Sequence, residues 1–323
     1  MIEDASTPPS LVNHPDNPVP EGARVGRFAA EDGVHLRYAY WLRSEGPHRG
    51  TICLLQGRTE FIEKYFETIA DFRKRGFAVA TFDWRGQGGS QRLARNPRLG
   101  YVDRFEDYWV DLKSFHRSVL LPDTPPPYYG VGHSMGGLVA LHAALRDRMM
   151  FDRLFLSAPM LGLDGQPLSL AGMARLADTL CFFGAGQLPV GRKSDRPASE
   201  RAFANNPLTS DFRRYMRMVK VQEAEPGLVI GRPAVRWVAA AMHAMDAAGT
   251  DSFPVDVKIP TLMLAAARDS VVSTVTTERL GLRMRTGRHL LVPAARHELF
   301  MEADAIRAQV LAAFDAFITT QSR

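Results

Sequence analysis

The residues best suited to chemistry are Gly132-His133-Ser134-Met135-Gly136. A serine flanked at two residues' distance by glycines suits a hydroxyl held clear of the backbone on a tight turn. The run Tyr128 to Gly132 reads as a strand entering that turn, and Met135 to Arg146 as an apolar helix leaving it. Such a turn is cramped, so a side chain at Gly132 or Gly136 would strike the neighbouring strand or helix. A serine hydroxyl is a weak nucleophile at neutral pH. It needs an imidazole to take its proton and a carboxylate to fix the imidazole's tautomer.

In strand–turn–helix sites of this kind the chain order is serine, acid, histidine. Thr261 to Ala266 reads as a strand and ends at Ala267-Arg268-Asp269, while His289 to Val292 runs into Pro293-Ala294-Ala295-Arg296-His297. Both side chains fall just beyond a strand's carboxyl end, where open sheets of this class build their sites. Asp269 and His297 are therefore the expected acid and base, with Asp164 as a rival acid after an earlier strand. The other histidines sit within helices or strands, beside proline, or in the turn itself. The developing oxyanion needs two donors, expected from the backbone N–H groups of Met135 and of Arg58, in the loop Gln56-Gly57-Arg58.

The elements that must position these residues follow from periodicity. Arg24 to Trp41 alternates about Glu31-Asp32-Gly33 as a hairpin, and Thr51 to Leu55 and Phe77 to Phe82 are short apolar strands. Phe61 to Arg75, Phe105 to Leu121, Met135 to Arg146, Thr274 to Leu282 and Phe300 to Ile318 have helical spacing. This alternation predicts an α/β protein with a mostly parallel central sheet flanked by helices, and antiparallel strands at one edge. The predicted organisation is an extended arm over 1–23, a core over 24–158 and 258–323, and a helical cap over 159–257. Met160, Leu161, Leu163, Leu168, Leu170, Met173, Leu176, Leu180, Phe182 and Phe183 either line an apolar channel in that cap or pack it onto the core.

Composition excludes several classes. Of 323 residues, 46% are hydrophobic and 23% charged, which fits a globular chain with a large core. The net charge is +5, carried mostly by arginine, without a basic stripe interleaved with aromatics, so no nucleic-acid partner is expected. The excess charge could instead bring the protein to anionic membranes as a peripheral contact. Two distant cysteines, Cys53 and Cys181, and a polar, proline-rich start predict a cytoplasmic protein, peripheral at most at the inner face of the membrane. His297-Glu298 opens like a zinc-protease box, but position 301 is Met, so no metal is expected. Gly86, Gly88 and Gly89 lack the following Gly-Lys-Ser/Thr of a phosphate loop, so no nucleotide cofactor is expected either. Oligomeric state has no signature.

Gly57-Arg58-Thr59-Glu60 with Lys64-Tyr65, Phe82-Asp83-Trp84-Arg85-Gly86-Gln87-Gly88, Gly132 to Gly137 and Arg296-His297-Glu298 resemble the lysophospholipase L2 and monoacylglycerol lipase group of α/β-hydrolases. Asn206 to Ser210 with Arg214-Tyr215 is similar to a cap segment of the lysophospholipase L2 branch. Gln56-Gly57 departs from the His-Gly of many lipases in the group, and Trp84 stands where a smaller residue is common, which would narrow one wall. The resemblance implies a serine esterase acting on single-chain acyl esters, a lysophospholipid or monoacylglycerol, through an acyl-enzyme. A serine acyltransferase or small-peptide hydrolase could use the same residues, and the fold can also serve as a binding module.

Overall fold

Eight strands form one sheet in the computed structural model, which describes residues 9–319 apart from 164, 167 and 192–202. They are β1 (Arg24–Ala29), β2 (His35–Trp41), β3 (Thr51–Leu55), β4 (Ala78–Phe82), β5 (Tyr128–His133), β6 (Arg153–Ser157), β7 (Thr261–Ala266) and β8 (Gly287–Val292). Their spatial order is β1-β2-β4-β3-β5-β6-β7-β8. The expected hairpin supplies an antiparallel edge: β1 pairs β2, and β2 pairs β4, in that sense, while the remaining pairs are parallel.

Every residue of β3, β4, β5 and β7 is buried, as strands covered on both faces must be. That is why they read as continuous apolar runs rather than as alternation. One covering layer pairs α1 (Phe66–Lys74) with α7 (Asp304–Thr319). Phe72 of α1 and Phe314 of α7 meet at 4.8 Å, and Phe314 also contacts Phe77 at 5.6 Å and Phe155 at 5.3 Å. Each such ring contributes about 1.5–3 kcal/mol on burial. The other face carries α2 (Glu106–Phe115) and α3 (Met135–Arg146). The sheet then places the carboxyl ends of β3, β5, β7 and β8 at one rim.

Three expected helices differ at their ends. The segment from Phe61 starts as a tight 3-10 turn at Ile62–Tyr65, because the Asp83 carboxylate takes the Ile62 N–H at 2.9 Å and fixes the entry. The helix from Glu106 widens into a π-type turn at His116–Leu120. The last helix begins at Asp304, four residues later than its apolar pattern, since Glu302 is drawn aside by the N–H groups of Arg296 and Ser210.

Residues 9–23 lie along the core: Arg37 donates to Ser10 O, Asn17 to Glu63 O, and Trp41 to Pro20 O. Residues 1–8 of the expected arm lie outside the described residues. Between β6 and β7 the chain adds α4 (Leu170–Phe182), α5 (Phe212–Ala224) and α6 (Val235–Ala248). Ala174 and Ala177 of α4 and Ala239 to Ala241 of α6 are buried, small residues that permit close helix contact. The apolar stripe expected to act as one unit divides. Met160 and Leu161 are buried and Leu163, Leu170 and Met173 pack on the core, but Leu168, Leu176, Leu180, Phe182 and Phe183 face solvent. Those last side chains are exposed, so the stripe does not pack onto the core as one apolar unit.

Candidate active site

The turn after β5 has the strain its glycines imply. Ser134 sits at φ 49° and ψ −115°, outside the regions open to ordinary residues. The backbone is held there by four hydrogen bonds: Ser134 N–H donates to Ser157 O, and Ser134 O accepts from Gly137, Leu138 and Met160. A Cβ at Gly136 would overlap the Leu55 carbonyl, and one at Gly132 would stand 2.9 Å from Gly137 Cα. The glycine requirement is therefore steric contact with β3 and with the first turn of α3.

Asp269 and His297, 28 residues apart in sequence, meet at the rim: His297 Nδ1 lies 2.8 Å from Asp269 Oδ2. Both side chains are buried. The second carboxylate oxygen accepts Val271 N–H at 2.8 Å and Val272 N–H at 3.0 Å. Burial alone would raise the Asp269 pKa, but the bond from His297, its charge, and these two N–H groups bring it below the ordinary value. An ionised Asp269 fixes the proton on Nδ1 and leaves Nε2 as an acceptor. Ser134 Oγ makes no hydrogen bond to that nitrogen among the described residues. The imidazole of His133, beside Ser134, lies 4.8 Å from the His297 ring, so the two rims are adjacent. Unbound sites often close such a contact only around substrate.

The loop after β3 is arranged by its carbonyls. Trp84 Nε1 holds Gln56 O at 2.9 Å and Gln87 Nε2 holds Gly57 O at 2.9 Å. Trp84 is wholly buried behind this loop, so it braces the wall from outside instead of narrowing it. Gly57 N–H donates to the Glu60 carboxylate. The next N–H, of Arg58, and that of Met135 have no partner among the described residues. Two free N–H groups on loops flanking the serine can stabilise an oxyanion.

Sequence reasoning assigned no role to the charges that tie these loops together. Lys64 reaches Glu60 at 2.7 Å and Glu298 at 2.5 Å, so it joins the Arg58 loop to the residue after His297. Tyr65 adds a bond to Glu60 at 2.7 Å. Burial would raise the Glu60 pKa, but Lys64, His133 and Tyr65 hold it far below the carboxylate range; the two carboxylates likewise keep Lys64 charged. Burial pushes His133 down to about 4, so it is neutral at neutral pH. On the far side, Glu298 N–H donates to Leu208 O at 2.8 Å, and Arg296 donates to Asn206 O at 2.7 Å and Thr209 O at 3.0 Å. The Asn206 to Ser210 segment thus clamps the histidine loop. The i, i+4 spacing of Glu60 and Lys64 was the one local signal of this network. Asp164, the rival acid, lies outside the described residues.

A mixed sheet with a serine on a strained turn after a central strand, and an Asp–His pair on later rim loops, defines an α/β-hydrolase. The family profile described as serine aminopeptidase, S33, matches residues 46–304, and the chain belongs to this family. It is 31% identical over 304 residues to lysophospholipase L2 of Escherichia coli (strain K12), covering 90% of this chain and 86% of that one. It is 28% identical to a probable lysophospholipase L2 of Haemophilus influenzae, covering 91% and 92%. Among solved structures, a soluble variant of monoglyceride lipase from Saccharomyces cerevisiae superposes with a TM-score of 0.71 at 19% identity, over 92% of this chain and 95% of that one.

Proposed function

We propose that the protein is a serine-dependent carboxylic-ester hydrolase acting on single-chain lipid esters, a lysophospholipid or a monoacylglycerol. The observation that carries this reading is the Asp269–His297 pair brought to the rim beside the strained Ser134. The names of the relatives supply the lipid. In the first half-reaction His297 Nε2 takes the Ser134 proton as Oγ attacks the ester carbonyl. The N–H groups of Met135 and Arg58 hold the oxyanion, each worth about 2.7–4 kcal/mol of barrier in comparable sites. The alcohol leaves with the proton from His297, and a fatty acyl-serine remains. In the second half, water gives its proton to His297, attacks the acyl carbon and releases the fatty acid, while Ser134 regains its proton.

The family's aminopeptidase description raises a peptide reading. A peptide's amino terminus needs a free carboxylate to bind it. The carboxylates of Glu60 and Glu298 beside the site are both engaged by Lys64, which favours the ester.

Residues 159–257 are read as a cap over this rim. Its exposed apolar side chains, with Phe182 85% and Phe183 78% exposed, are read as the surface that meets a bilayer where such substrates reside. We place the protein in the cytoplasm on its cysteine usage; no helix among the described residues is long and apolar enough to cross a membrane.

The direct test is hydrolysis of p-nitrophenyl esters from short to long chain, a monoacylglycerol and a lysophospholipid, with Ser134→Ala as control. Long-chain turnover absent from the variant, with its unfolding transition unchanged, is the expected result. Turnover retained by Ser134→Ala, or confined to peptides, would reject the reading.

A further inference from the structure

The buried cations of this molecule follow one rule. Arg37 is paired with Glu63 and Asp83, Lys64 with Glu60 and Glu298, Arg85 with Asp111 and Asp32, Arg214 with Glu67 and Asp304, and Arg307 with Asp71. That is the expected state, because a desolvated charge without a counter-ion is costly. Arg58, only half-buried as a residue, has no such partner. Its guanidinium donates from Nη2 to Gly231 O and lies 5.0 Å from the Trp237 ring, and no carboxylate pairs with it among the described residues. Nε is shut off from solvent and has no hydrogen-bond partner. Burial without an anion pushes the group down to about 10. A neutral carbonyl and an aromatic face hold the group in place but leave its charge unanswered.

The surroundings keep this position open and positive. Gly100 makes the space: a Cβ there would stand 2.7 Å from Nη2 of Arg58. The segments that frame it are bound to each other, Gly231 N–H to Arg98 O at 2.6 Å and Gly100 N–H to Arg232 O at 3.0 Å. Arg98 and Arg232 also lack a carboxylate partner among the described residues, which adds positive potential to the same two segments. The residue itself is only partly buried, so a ligand can reach it.

We propose that the Arg58 guanidinium is the headgroup-recognition residue of the site and takes the phosphate of a single-chain phospholipid. This rests on the lipid-ester reading above and deepens it. With the Arg58 backbone N–H serving the oxyanion, its guanidinium beside Gly231 and Trp237 would meet the alcohol portion of the ester. A planar guanidinium that carries its charge without a carboxylate partner matches phosphate oxygens in geometry as well as charge. A neutral glycerol headgroup answers neither. Arg58 thus discriminates by headgroup, separately from the acyl transfer itself.

The test compares two esters with the same palmitoyl chain in the same mixed micelles, lysophosphatidylethanolamine and monopalmitoylglycerol. Because the Arg58 backbone also serves the oxyanion, the readout is the ratio of kcat/KM for the two substrates, which cancels any loss they share. The wild-type ratio should favour the phospholipid and fall about tenfold or more in Arg58→Gln, with partial recovery in Arg58→Lys, which keeps charge but loses the planar fork. Inhibition of the unmodified protein provides a measurement free of folding effects. Hexadecylphosphocholine, which has no carboxylic ester, should bind at least tenfold tighter than 1-O-hexadecylglycerol. An unchanged ratio in Arg58→Gln, or equal inhibition by the two lipids, would overturn the assignment and leave the lipid-ester reading standing. Wild-type turnover of monopalmitoylglycerol alone would do the same, and turnover of neither lipid would remove both.

Discussion

At the scale of residues, the proposed reaction depends on one tautomer. Asp269 fixes the proton of His297 on Nδ1 through a 2.8 Å bond, and that bond together with two backbone N–H groups keeps the carboxylate ionised. Asparagine in its place preserves size but can donate to Nδ1, which reverses the tautomer and removes the acceptor that Ser134 needs. Asp269→Asn should therefore lower kcat by roughly 10⁴, the order of loss expected when the histidine of a Ser-His-Asp site is held in the wrong tautomer. KM and the unfolding midpoint should stay close to wild type. A loss below tenfold would mean that another carboxylate orients the histidine, with Asp164 the first to examine.

At the scale of elements, the site is three loops held in register by groups that touch no substrate. The strained turn at Ser134 is locked between β3 and α3 because Gly132 and Gly136 allow the backbones to approach. Gly136→Ala would drive a methyl into the Leu55 carbonyl. Overpacking of this kind costs about 1–3 kcal/mol, and more where the obstacle is backbone. Urea unfolding should show a midpoint lowered accordingly, together with lost esterase activity; an unchanged midpoint would discard the steric account. The Lys64 bridge and the Asn206 to Ser210 clamp fix the other two loops from opposite sides. The helical insertion between β6 and β7 therefore also supports the histidine loop.

At the scale of the whole molecule, the proposed bilayer contact rests on a net charge of +5 and the exposed apolar side chains at the end of α4. Phe182 and Phe183 stand edge to face at 5.4 Å, too exposed to support the fold. Transferring them from water to a bilayer would gain about 1.5–3 kcal/mol each. A double change, Phe182→Ser with Phe183→Ser, should weaken sedimentation with anionic vesicles by about tenfold or more and slow hydrolysis of bilayer-embedded substrate. Turnover of a soluble short-chain ester should be retained. Added salt should also weaken wild-type vesicle binding, because exposed charges are screened. Equal vesicle binding by wild type and variant would move the contact surface elsewhere.

The sequence by itself determined the strand–turn–helix around Ser134, the positions of Asp269 and His297, and the alternation that makes the sheet. These rest on local patterns: apolar runs of strand length, a helical period, and glycines whose spacing a tight turn demands. Tertiary structure decided what lies far apart in the chain. Only the fold could join Lys64 to Glu298, seat Asn206 against Arg296, and set Trp84 behind the Gln56 carbonyl rather than in the site. Only the fold could show that the apolar stripe from Met160 to Phe183 divides between core and solvent, since periodicity gives a helix its faces but not what each face meets. The lone charge of Arg58 was hidden for the same reason. A sequence can place an arginine beside a chemical motif, but whether a carboxylate answers it depends on which distant segments close around it.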